Sequence, residues 1–152
     1  MKYWRFIIIG LTLILLLYYF FTVYRDDWKK NAQVQQNQTT SKQWEEKTDE
    51  QEPILIKVTP LELGLNQSLW KFRVIFTTHL GNLDQDPTKV VVLVDDKGSI
   101  YQPVAWEGPG PGGHHREGIL EFNTIQPNPK YVELKIKDVG GIPERSFKWN
   151  LE

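Results

Sequence analysis

The chain has 152 residues, 40% hydrophobic and 24% charged, with a formal net charge of -1 and no cysteine. That length holds one domain of ordinary size and little more. The lack of thiols excludes a disulfide framework, a cysteine zinc site and a cysteine nucleophile, and the near-neutral balance excludes the broad basic surface that nucleic acids require.

In chain order, a five-residue head (1–5) precedes FIIIGLTLILLLYYFFTVY, residues 6–24, which contains no charge. Nineteen helical residues reach roughly 30 Å at about 1.5 Å each, the thickness of a bilayer's hydrocarbon core, so a transmembrane helix is predicted. The run ends in bulky Tyr18, Tyr19, Phe20, Phe21 and Tyr24 rather than small residues, which argues for a retained anchor over a cleaved leader. Tyr3, Trp4, Tyr24 and Trp28 flank it where aromatic rings favour the membrane interface. Lys2 and Arg5 on one side nearly balance Arg25, Lys29 and Lys30 beside Asp26 and Asp27 on the other. The short head points to a signal-anchor, and so to a single-pass cell-membrane protein with its C-terminal domain extracytoplasmic. Residues 25–52 are polar, without hydrophobic periodicity, and read as a partly disordered linker.

From Pro53 to Glu152 the texture is β-rich. Strands are expected at 54–59, 69–78, 89–94, 99–106, 118–122, 131–138 and 145–151, with Trp70, Phe72, Val74 and Phe76 alternating against Lys71, Arg73, Ile75 and Thr77. Pro103 demotes its strand to an edge, and the DDKG at 95–98 is a tight turn. About seven short strands, no convincing helix and Gly/Pro/Asn/Asp punctuation indicate an all-β, immunoglobulin-like antiparallel sandwich over 53–152. Aromatic burial takes the place of the usual disulfide.

Counting antiparallel connections places the loops 79–88, 107–117 and 139–144 at one end, here called the top. All three histidines, His79, His114 and His115, fall there with Asp84, Asp86, Glu107, Glu117, Asp138 and Glu144. Imidazole with carboxylate is an adequate ligand set for a transition metal, zinc or copper. The expected ligands are His79, His114 and His115, supplemented by Asp84 or Glu117. Gly112 and Gly113 supply the turn that adjacent histidines need to meet one ion. By parity, His79 shares the polar face of its strand with Lys71 and Arg73, and converges with the pair only if the strand ends or bulges at Thr78. The alternative is that the same loops dock a protein, with Trp106 and Arg116 shaping the contact.

The serines at 41, 68, 99 and 146 lie in no strained elbow and none is expected on the histidine-bearing loops, so no triad is visible and an enzyme is not expected. GPGPGG is followed by neither Lys-Ser nor Lys-Thr and opens no helix, so it is no phosphate loop. Residues 53–152 carry eleven Lys and Arg against twelve Asp and Glu, which argues against nucleic acid. Two functions follow as expectations: a membrane-anchored domain that captures or delivers a transition metal ion, or a non-catalytic accessory subunit that docks a membrane or envelope protein complex. The strand beginning at residue 54 starts at the top, so the linker is expected to arrive there too.

Overall fold

The computed structural model describes residue 13, residues 15–21 and residues 43–152. Of the expected span 6–24, residues 13 and 15–21 are helical with exposed side chains, and the remainder, with the head 1–5, lies outside the described residues. No helix among the described residues is long and apolar enough to cross a membrane. Contacts divide the chain into two compact units, Met1–Lys42 and Gln43–Glu152.

The described part of the second unit is an all-β sandwich of two antiparallel sheets. Its strands are β1 (Lys47–Asp49), β2 (Ile54–Glu62), β3 (Leu69–Thr78), β4 (Val91–Asp95), β5 (Ile100–Tyr101), β6 (Ala105–Glu107), β7 (His115–Asn123), β8 (Tyr131–Val139) and β9 (Ile142–Asn150), with one helical turn, α1 (Pro87–Val90), before β4. One sheet has the order β1-β2-β3-β7-β6 and the other β5-β4-β8-β9. Period-two alternation accounts for the packing: Trp70, Phe72, Val74 and Phe76 are fully buried, as are Leu120 and Phe122 of β7 and Val132, Leu134 and Ile136 of β8. Phe72 meets Phe122 edge-on at 5.7 Å and Trp149 at 5.7 Å, so aromatic contacts join the sheets. Trp70 keeps its indole N–H satisfied by donating to Gly64 O at 2.9 Å.

Three details depart from the linear reading. Residues 99–106 do not form one strand: β5 pairs with β4 and β6 pairs with β7, so the chain crosses between sheets around Pro103, which cannot donate to a ladder. Lys89 and Val90 belong to α1, started by Pro87 and capped by Asp86, whose carboxylate accepts from Thr88 N at 3.0 Å. The linker does not run to residue 52, because Gln43 already belongs to the sandwich and β1 pairs with β2.

β1 also corrects the point of entry. Trp149, opposite Val132 near the bottom start of β8, donates its indole N–H to Glu45 O at 2.8 Å. The chain therefore joins the sandwich at the bottom and climbs through β1 to the turn before β2. A three-residue strand has no periodicity to betray it in the sequence.

The bottom hairpin turns on Asp95, only 5% exposed. Its carboxylate accepts from Lys97 N at 2.9 Å, Ser99 N at 2.8 Å and the Tyr101 hydroxyl at 2.9 Å. Burial pushes this carboxyl up, but the bonds from Ser99, Tyr101 and Lys97 outweigh it and hold it below the ordinary aspartate range. A carboxyl with a lowered folded pKa contributes stability that is present above its unfolded value, about 3.9, and lost as pH falls through the folded value. Asp95→Asn is thus expected to cost about 1–2 kcal/mol at neutral pH, with the gap closing on acidification. Urea unfolding of both proteins across a pH series checks this.

Candidate functional site

The top end is built from the end of β3, the loop 79–86, the loop 108–114 and the start of β7. Thr77 pairs with His115 across β3 and β7, so the loop after β3 and the loop before β7 are neighbours. Main-chain bonds then join them: Thr78 N donates to His114 O at 2.9 Å, Leu83 N to Gly113 O at 3.0 Å and Gly112 N to Leu83 O at 2.9 Å. Gly112 and Gly113 hold φ of 114° and 75°, a left-handed backbone that favours glycine. Thr78, 3% exposed, closes the strand with its hydroxyl 2.9 Å from Pro53 O and 2.8 Å from Leu80 O.

Between these loops lies Arg116, only 2% exposed. Its Nη1 donates to Leu83 O at 3.0 Å and Gln85 O at 2.6 Å, and Nη2 to Pro109 O at 3.1 Å. Burial pushes this guanidinium down from its ordinary value, and the carboxylates of Asp86 and Asp84 push it back up. One buried cation thus holds both loops. Trp106 belongs to the same arrangement: its ring centroid is 5.8 Å from Arg116 Cζ and its Nε1 donates to Pro109 O at 3.1 Å. The expected contact pair is therefore placed differently from the sequence reading, with Arg116 inside the loop structure and Trp106 half-buried against it.

The indole lies on glycine. A Cβ at Gly118 would come 2.6 Å from the Trp106 ring and 2.6 Å from Glu107 O, whereas one at Gly110 would meet nothing within 4 Å. Gly118→Ala is accordingly expected to destabilise by about 2 kcal/mol through overpacking, and Gly110→Ala by under about 0.5 kcal/mol. The two urea midpoints, measured side by side, test the difference.

The histidines share this end but point to separate neighbours. His115 Nδ1 lies 3.1 Å from Thr77 Oγ1, and its Nε2 lies 4.0 Å from Glu117 Oε2, both on the outer face of the five-stranded sheet. His114 is exposed, and its main-chain carbonyl ties the loop to Thr78. His79 is exposed just past the end of β3 and lines a cleft of about 290 Å³ with Glu50, Glu52, Pro53, Leu55 and Thr77. Asp84 is exposed in the loop 79–86. Among the described residues no group of three or more His, Asp or Glu is placed to share a metal ion.

A second buried arginine braces the other side of the top. Arg145, 2% exposed, donates through Nη1 to Ile54 O and through Nη2 to Gln51 O at 2.9 Å, with Asp49 Oδ1 3.6 Å away. Burial pushes its guanidinium down, and Asp49 pushes it back up. The turn it holds carries Glu50 and Glu52, which sequence reading assigned to the linker. The aromatic Trp44 and the Pro53 that follows were the only nearby signals of order. No family model, curated protein or solved structure matches this chain.

Proposed function

We propose that residues 6–24 anchor this chain in the cell membrane as a single-pass protein. In this reading an immunoglobulin-like sandwich lies on the extracytoplasmic side as a non-catalytic accessory domain. The sandwich docks a membrane or envelope protein through its top loops. The strand order supports the finer fold reading: β2-β3-β7-β6 facing β4-β8-β9 follows the A-B-E-D and C-F-G arrangement of immunoglobulin domains, with β5 added beside β4.

The observation that carries the docking reading is the buried Arg116, which fastens two loops together through three carbonyls. Loops already held in one geometry lose little conformational freedom on binding, so more of the contact energy appears as affinity. Leu80, 72% exposed at the tip of this braced structure, offers the apolar contact. The His115–Glu117 pair favours a second reading, a zinc or copper ion held there with a ligand from elsewhere.

A photo-crosslinking residue placed at Leu80 in the full chain, in its native membrane, is expected to give one adduct of discrete mass. The same residue at Asn123, at the bottom end of β7, is expected to give none. Equal adducts at both, or none at Leu80, overturn docking through the top. Thermal unfolding with zinc and with copper separates the readings, since an ion bound only to the folded state raises the melting temperature.

A further inference from the structure

The geometry points to the cleft beside β2 and β3 as the seat for an arginine side chain of the docked partner, an inference that rests on the docking reading. Leu55 and Thr77 are cross-strand partners whose side chains face outward, and with Pro53 they give the cleft an apolar surface with one hydroxyl. Glu50, Glu52 and His79 complete its lining. At about 290 Å³ it sits at the small end of ligand pockets, roughly 300 Å³ and upward, a size suited to one long side chain.

Its charge selects the occupant. Neighbouring acids are already engaged: Asp49 with Arg145, and Glu46 with Lys57 and Arg73. Glu50 and Glu52 have no ion-pair partner among the described residues, and no Lys or Arg lines the cleft. Two uncompensated carboxylates beside an apolar surface match a guanidinium, a planar cation with five donors and weakly hydrated faces that stack on Pro and Leu better than an ammonium does. The Thr77 hydroxyl supplies a further acceptor. Arg145 keeps the carboxylate-bearing turn in place by holding Gln51 O between the two glutamates. The cleft is thus formed before a ligand arrives.

The test uses the full chain in nanodiscs with methyl-labelled leucine, titrated with the peptide acetyl-Gly-Arg-Leu-amide and with its citrulline counterpart, which keeps the shape and loses the charge. The Leu55 methyl signal is expected to shift saturably with the arginine peptide. Binding should be about tenfold weaker for citrulline and for the variant Glu50→Gln, Glu52→Gln, in which an unchanged signal from buried Leu93 reports an intact fold. An equal response to the two peptides, a response unaltered in the variant, or no saturable response overturns the proposal. Crosslinking from Leu80 distinguishes the two ideas. An adduct without arginine binding retains docking and removes the cleft, whereas arginine binding without an adduct retains an arginine-binding cleft and removes its assignment to a partner docked through the top loops.

Discussion

Replacing Arg116 by alanine is expected to lower the unfolding free energy by about 3 kcal/mol, among the largest single-residue effects in the domain. Leu83 O also accepts from Gly112 N, and Pro109 O also accepts from the Trp106 indole, so both keep a partner when the guanidinium goes. Gln85 O has no other donor shown to it, and its orphaning costs about 1–3 kcal/mol. The remainder is the cavity beneath Trp106. Arg116→Met fills part of that cavity and removes a buried charge, so about half the loss is expected. The local consequence should exceed the global one. Amides of Thr78, Leu83 and Gly112 should exchange hydrogen faster in either variant, while those of β8 follow global stability. Unaltered exchange in the loops would show that they hold their form without the arginine.

Arg145→Met is expected to cost a similar amount, about 3 kcal/mol, because it removes the cation beside Asp49, whose carboxylate keeps its bonds from Gln51 N and Gln51 Nε2, together with the donor to Gln51 O. Asp49, whose side chain is only 17% exposed, loses its cation 3.6 Å away. Gln51 O loses its donor. A double-mutant cycle isolates the electrostatic part: Asp49→Asn with Arg145→Met should recover about 1–2 kcal/mol of the single-variant loss. Additive losses would mean that Arg145 acts only by packing and carbonyl bonding. Since this turn carries Glu50 and Glu52, the same variant should also weaken the arginine response of the cleft, even at temperatures where the domain stays folded.

Strand existence was largely legible in the sequence because it depends on local alternation. LWKFRVIFTT reads with period two, and the strand occupies those ten residues with the apolar set inward. The gathering of His79, His114 and His115 at one end was legible too, because counting antiparallel turns needs only the strand list, and Thr77 does pair with His115. Metal capture does not follow from that gathering. Parity places His115 beside Glu117 on an outer sheet face, while His79 turns toward Glu50 and Glu52 in the cleft.

By itself, then, the sequence determined the β texture, the inward face of the strand at 69–78, the turn chemistry at DDKG and the end at which the histidine loops lie. These properties depend on residues a few positions apart. Only the tertiary structure decided that residues 99–106 divide between two sheets, that the strand Lys47–Asp49 exists, and that Arg116 and Arg145 are structural cations. The physical reason is range. Arg145 finds its carbonyl partners 91 and 94 residues away, and Arg116 finds two of its three partners 31 and 33 residues away. An arginine in a strand pattern looks the same whether it meets water or a distant loop, and burial against carbonyls alone turns it from a surface charge into a brace.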